Sequence, residues 1–380
     1  SRPEWAIADF GIMAAGAISV PAYTTNSTAD HLYVLTNSGA KGVIVSTAAL
    51  AEKVLPAARQ TPGLEFAIIM DRAADGNGGA VALHAWDEVV GRHDGAVLEA
   101  SDRARRVRRT DTACIIHTSG TGGVPKGVML SHGAILSNCK GAYHLLLDLG
   151  LDDEVFLSFL PLSHSYEHTA GLMFPISIGA QIYYADGVDR LTTNMAETRP
   201  TLMTAVPRLY ENMHARMLKS ARQAGGFKEK LFHRAVALGL KRYEAKGGLG
   251  IGERVLDFAL DRLVRKKVKA QLGGRLKALV SGGAPLNPDI GKFFLALGLR
   301  VLQGYGQTES APVVSCNPPK RVRIETVGPP VVDVEVRIAD DGEILVHGEL
   351  VMQGYWNDAK GTAEVLKDGW RHTGDIGEID

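Results

Sequence analysis

The chain has 380 residues, 45% hydrophobic and 22% charged, ordinary proportions for a globular protein and too many residues for one simple core. Lys+Arg 42 balances Asp+Glu 42, so no global field recruits nucleic acid. Cys114, Cys139 and Cys316 are far apart with no C-x-x-C spacing, no signal peptide is visible, and no apolar run reaches the roughly 18 residues of a membrane span. A cytoplasmic chain, with the inner face of a membrane as a peripheral alternative, is expected.

The first residue is Ser1, and Arg2-Pro3-Glu4-Trp5 leads into an apolar helical pattern over 5–17. Residues 18–21, 42–45 and 66–70 read as short strands, and 47–58 fits a helix. Alternation of this kind predicts parallel βαβ units. The stretch 71–111 is polar, Gly-rich and finally basic, which reads as a solvated face.

A buried strand at 113–116 then runs into Thr118-Ser119-Gly120-Thr121-Gly122-Gly123-Val124-Pro125-Lys126-Gly127, and 128–130 reads as the next strand. Glycines let the backbone approach a ligand, and exposed N–H groups form an anion nest. Ser and Thr add hydroxyl donors and Lys126 adds a positive charge, a set suited to polyphosphate. Gly127 after Lys126 excludes the G-x-x-x-x-G-K-[ST] loop. A flexible Gly-rich hairpin is the plain alternative.

The order of residue types closely resembles the phosphate loop of the adenylate-forming enzymes: acyl-CoA synthetases, luciferases and peptide-synthetase adenylation domains. Their pattern is [ST]-S-G-[ST]-T-G-x-P-K-G, and this chain departs from it at Gly122, where the family usually has Thr. The departure removes one hydroxyl and leaves the backbone donors.

Further strands are expected at 155–159, 182–184, 202–206, 277–280 and 300–302, with a helix over 134–147 capped by Ser131. Ligands bind past the carboxyl ends of such strands, where Gly120, Pro161, Pro207, Gly282 and Gly304 fall. Residues 207–273 hold the longest helical region. Leu256, Leu260, Leu263, Val264 and Val268 lie at helical spacing, and Arg265, Lys266, Lys267 and Lys269 crowd the end. This reads as a core-packed helix with a dipole-matched end, or as a basic amphipathic surface that touches membrane. After Asn317 the texture turns β-rich, with strands expected at 331–338, 343–347 and 350–352.

Three other motifs carry chemistry. In Gly304-Tyr305-Gly306-Gln307-Thr308-Glu309 a ring between glycines can lie against a base, and Glu309 can hold Mg²⁺ beside phosphates. In Thr373-Gly374-Asp375 the carboxylate can take ribose hydroxyls, the plain alternative being an Asx turn. In the family resembled, Y-G-x-T-E holds adenine and metal, and the T-G-D aspartate holds the ribose. The segment Ser281-Gly282-Gly283-Ala284-Pro285-Leu286 matches the second adenine-side segment of long-chain acyl-CoA synthetases. Leu160-Pro161-Leu162-Ser163-His164-Ser165-Tyr166-Glu167-His168 matches the segment whose His lies near the acyl carboxylate.

The resemblance covers nearly the whole chain and looks most like the long-chain fatty acyl-CoA synthetase branch. It implies an α/β fold of two packed, mostly parallel sheets with flanking helices over residues 1–320, plus a β-rich subdomain over 321–380. The family's small C-terminal lid domain is not in the sequence, which reads as a piece of a longer protein. The resemblance implies ATP, Mg²⁺ and CoA as cofactor and cosubstrates, and a fatty acid as substrate. Ser119, Gly120, Thr121, Gly122, Gly123 and Lys126 would take phosphates, and Thr118 and Glu309 the metal. Gly283, Ala284, Pro285, Gln303, Gly304, Tyr305, Gly306 and Thr308 would surround AMP, with Asp375 on the ribose and His164 near substrate. Another acid–CoA ligase, an adenylation domain, or an incomplete nucleotide- or acyl-binding module remain alternatives, and a homodimer and peripheral membrane contact are both compatible with the reading.

Overall fold

The computed structural model describes residues 1–71, 81–91, 97–118, 123–244 and 248–380. They form two compact units that interleave in sequence. One holds Ser1, Ser137–Leu162 and Tyr166–Arg337, and the other holds Arg2–Leu136, Ser163–Ser165 and Ile338–Asp380.

The first unit is built on a six-stranded sheet in the order Val313–Cys316, Val301–Gly306, Ala278–Ser281, Leu202–Ala205, Val155–Ser158, Gln181–Tyr184. All pairings are parallel except that of Val313–Cys316 with its neighbour. Central strands such as Leu202–Ala205 are buried along their whole length, as strands covered on both faces must be, and this is why they read as unbroken apolar runs. Tyr210, Ala235, Leu238, Leu260 and Phe294 fill the core beside the sheet. The Tyr210 and Phe294 rings meet edge-on at 5.5 Å.

One expectation fails in the helical region. Arg265 does not join an exposed basic end; it is wholly buried. Its Nε donates to the Ala296 carbonyl at 2.8 Å, and its Nη2 donates to the Ala235 carbonyl at 3.0 Å and pairs with Asp257 at 2.7 Å. The cause is a π-helical turn, Asp261–Arg265. The extra residue per turn shifts the phase of the helix, so Val264 and Arg265 turn inward and Leu263, expected on the apolar face, is exposed. Replacing Arg265 by Met would leave Asp257 and two carbonyls short of a partner. We expect a loss of about 3 kcal/mol or more in urea unfolding of the first unit, with Arg265→Lys between the two.

The second unit carries a parallel sheet, Gly42–Val45, Phe66–Ile69 and Ala82–Ala85. It also carries an antiparallel sheet in the order Gly354–Tyr355, Lys126–Ser131, Thr112–Thr118. Its third sheet includes the neighbouring strands Glu343–His347, Trp370–Ile376 and Leu366–Lys367. Four sheets stand among the described residues, where the resemblance implied two packed sheets and a β-rich subdomain. Ser131 caps its helix as expected, its Oγ accepting from Ala134 N at 3.0 Å. The strand expected at 18–21 is a single bridge, Ser19 to Cys114. The strand expected at 350–352 is a turn, because Leu350 and Met352 are buried as anchors without a ladder partner. The strand Ala82–Ala85 and the helix Ala359–Val365 were not legible, since both are short and only partly buried.

Candidate nucleotide site

The Gly-rich segment leaves one strand and enters its antiparallel neighbour. Thr118 pairs in register with Lys126, His117 with Gly127, and Ile116 with Val128. Ser119, Gly120, Thr121 and Gly122 lie outside the described residues. Gly123 has φ +83°, a left-handed conformation that glycine adopts without cost. Pro125 is held through its carbonyl, which accepts from Tyr33 OH at 2.8 Å. The Gly127 carbonyl accepts from Trp356 N at 2.7 Å, and Trp356 Nε1 donates to the Asn37 carbonyl at 2.9 Å. Asn37 Oδ1 lies 3.1 Å from His117 Nε2. A Cβ on Gly127 would lie 2.8 Å from Ile115 and 3.3 Å from Trp356, so glycine is required there by packing.

Lys126 stands on the same strand face as Val128, whose cross-strand partner is Tyr355. Its ammonium lies 4.6 Å from the centroid of the Tyr355 ring and 3.3 Å from Asp358 Oδ2. Asp358 is held below the usual carboxylate range first by the Gly361 N–H and then by Lys126. Asp358 did not stand out in the sequence, since only the turn that folds back onto the strand brings it to Lys126.

Within the first unit, Gly283 has φ +80° at the turn after Ala278–Ser281, and Ala284 and Pro285 complete that turn. Leu286 N donates to Gln303 Oε1 at 2.8 Å, while Gln303 Nε2 donates to the carbonyls of Ile324 and Thr326 at 3.0 and 3.2 Å. The Gln303 amide thus ties the Gly283 turn to the neighbouring strand, a structural job not visible in the motif. Gly304 and Gly306 lie inside the strand Val301–Gly306, not past its end. Strand Val313–Cys316 runs so close that a Cβ on Gly304 would lie 2.8 Å from the Ser315 carbonyl, and one on Gly306 would strike the Pro312 carbonyl. Tyr305 therefore projects from a strand segment whose flanking positions only glycine can fill. Thr308 and Glu309 form a tight helical turn, Thr308–Ser310. Asn138 anchors the chain just beyond it, donating to the Val313 carbonyl at 2.8 Å.

The segment 160–168 divides between the units. His164 reaches solvent, yet crowding by the surrounding protein lowers its pKa; its exposure limits that lowering. Glu167 is wholly buried in the π-helical turn Glu167–Met173. Its two oxygens accept from Ser158 Oγ and Thr204 Oγ1, each at 2.6 Å, across strands Val155–Ser158 and Leu202–Ala205. Burial pushes its pKa up to about 7, and the two hydroxyls oppose that rise without cancelling it. A folded pKa above the ordinary 4.5 means stability is full at acid pH and declines as pH rises from there towards 7, by an amount on the order of 3 kcal/mol. Glu167→Gln, which keeps one donor and one acceptor, should flatten that decline when urea midpoints are measured from pH 4.5 to pH 8.

Asp375 lies on the strand Trp370–Ile376. Its N–H donates to Thr373 Oγ1 at 3.1 Å, and Thr373 Oγ1 donates to the Ile344 carbonyl at 2.7 Å. Glu343 accepts from Gly374 N at 2.8 Å and contacts His372 Nδ1 at 2.7 Å, so the bend before Asp375 is fixed from the adjacent strand.

A cavity of about 190 Å³ in the first unit is lined by Leu191, Met195, Leu209, Met213, Met217 and Leu272, among others. Its lining is mostly aliphatic and thioether, which suits a flexible apolar chain.

The Gly-rich segment, the Tyr305 strand and the Asp375 strand each belong to a mixed α/β fold. Residues 1–356 match the AMP-binding enzyme family, and the chain belongs to it. Long-chain-fatty-acid–CoA ligase FadD15 of Mycobacterium bovis is 36% identical over 100% of this chain and 62% of its own length. Long-chain-fatty-acid–CoA ligase 5 of Mus musculus is 32% identical over 99% of this chain and 57% of its own. The chain thus spans less than two thirds of these relatives. Among solved structures, the N-terminal domain of FACL13 from Mycobacterium tuberculosis superposes with TM-score 0.65 at 20% identity, covering 100% of this chain and 82% of that one. The anthranilate CoA ligase AuaEII bound to anthranoyl-AMP gives 0.68 at 21%, covering 100% and 64%. Both share the fold.

Proposed function

We propose that this chain is the nucleotide- and acyl-binding part of a long-chain fatty acid–CoA ligase. The observation that carries the reading is similarity along the whole chain, at 32–36% identity, to proteins bearing that name. In the first step a fatty carboxylate oxygen attacks the α-phosphorus of ATP. The Pα–O–Pβ bond breaks and pyrophosphate leaves. In the second, the CoA sulfur forms a thioester bond to the acyl carbon, AMP departs with the former carboxylate oxygen, and the thiol proton passes to solvent.

Such chemistry needs positioning and charge neutralisation more than covalent help. Lys126 and the backbone donors from Ser119 to Gly123 neutralise phosphate charge. Tyr305 stacks on the base, and Asp375 accepts from the ribose hydroxyls. Thr118 offers a hydroxyl and Glu309 a carboxylate, each an oxygen donor of the kind Mg²⁺ takes; when bound, that ion supplies charge stabilisation on the phosphates. His164, held towards its neutral form, presents an imidazole to the substrate carboxylate.

The methionine-lined cavity supports an aliphatic substrate. Acid-dependent ATP–pyrophosphate exchange with palmitate tests the reading. Nucleotide binding without exchange, in this chain and in one extended to the relatives' length, would reduce the protein to a binding module. Lys126→Met and Glu309→Gln should each lower exchange by about 100-fold or more. Met213→Trp should depress exchange with palmitate more than with octanoate, which a global folding defect would not do.

Peripheral membrane contact is part of this proposal. On the segment 251–267 the exposed apolar residues are Ile251, Val255, Phe258 and Leu263, and the fully exposed charges, Arg254, Arg262, Lys266 and Lys267, are all basic. Of the segment's three acids, Glu253 and Asp257 are paired with Lys241 and Arg242, and Asp261 is only partly exposed. Apolar and cationic groups in one stripe favour an anionic lipid surface. Phe258→Glu should abolish co-sedimentation with phosphatidylglycerol vesicles, and binding should fall with salt. Self-association in place of vesicle binding would assign the stripe to a homodimer instead.

A further inference from the structure

Lys126 does not simply project from its strand; it is seated. Three residues of one turn make the seat: the Tyr355 ring 4.6 Å from the ammonium, the Asp358 carboxylate 3.3 Å away, and Gly361, where a Cβ would come within 2.7 Å of the ammonium and would strike the Asp358 carboxylate. The turn is itself tied down. Tyr355 pairs with Val128 in the sheet, Trp356 N donates to the Gly127 carbonyl, and Tyr355 N donates to Thr362 Oγ1 at 2.8 Å. Asp358 Oδ1 caps the following helix, accepting from Gly361 N at 2.7 Å, which leaves Oδ2 to the lysine. One carboxylate therefore does two jobs, with a different oxygen for each.

We propose that Asp358 is a positioning residue for the loop lysine: with Tyr355 and the bare Gly361 it holds the Lys126 ammonium where nucleotide phosphates meet it. The inference rests on the reading that Lys126 contacts those phosphates. A lysine has three N–H donors and one carboxylate satisfies one of them, so the seated ammonium keeps donors for an anion. Both side chains are partly exposed, 39% and 36%, so the pair adds little to stability. Its effect lies in limiting the rotamers of a long side chain before the ligand arrives, which lowers the ordering cost of binding.

The conservative substitution separates the two jobs of Asp358. Asn is as good a helix cap as Asp, so Asp358→Asn keeps the helix start and removes only the charge. In calorimetric titration of this chain with Mg·ATP, Asp358→Asn should raise Kd by about three- to tenfold with an unchanged melting temperature. In the Lys126→Met background the same substitution should have no effect, and Asp358→Glu should recover part of the affinity. Gly361→Ala should also raise Kd, although Ala suits a helix better than Gly. An unchanged or lowered Kd for Asp358→Asn, or an equal shift with and without Lys126, overturns the proposal. Should Lys126→Met alone leave Kd unchanged, the reading of the lysine falls and the positioning role falls with it.

Discussion

Thr118 faces Lys126 across an antiparallel strand pair, and the placement of the Gly-rich segment in the second unit depends on that pairing. A glycine-rich loop has high conformational entropy, so by itself it holds an anion poorly. Closing it with a register-locked pair confines both ends at once. Each end has a further tie: Tyr33 to Pro125, His117 to Asn37, and Trp356 to Gly127 and Asn37. A one-residue slip in this register would move Lys126 to the opposite face of the sheet and away from Tyr355.

The first unit solves a different problem at the carboxyl end of its parallel strands. Polar groups gather there, yet the central strands are buried along their length. Ser158 and Thr204 satisfy the two oxygens of Glu167, and Gln303 uses its whole amide on three backbone groups. Buried polar atoms are tolerated when each has a partner. The result is a rigid platform on which the Gly283 turn and the Tyr305 strand are fixed relative to one another. Arg265 follows the same rule deeper in the helical layer, where two carbonyls and Asp257 surround its guanidinium.

Glycine has a separate logic in each motif. At Gly123 and Gly283 it supplies a left-handed backbone. At Gly304 and Gly306 the conformation is not the issue; a neighbouring strand occupies the space a side chain would need. At Gly361 the space is left for an ammonium and a carboxylate. The same residue type thus serves conformation, packing and ligand geometry, and sequence spacing does not tell these apart.

The sequence by itself determined five of the six strands of that sheet, all but Val313–Cys316, because its central strands are buried on both faces and must be continuous apolar runs. It also determined the motifs of the family, because loop chemistry is local: glycines, hydroxyls and a lysine within ten residues. Tertiary structure decided what depends on pairing distant segments. It showed that the stretch after Ile338 packs with residues 2–136, that Arg265 turns inward at a π-helical turn, and that Asp358, more than 200 residues from Lys126, supplies its counter-charge. Contacts between segments far apart in sequence leave no periodic trace in either segment, and a phase shift inside a helix breaks the periodicity that sequence reading relies on.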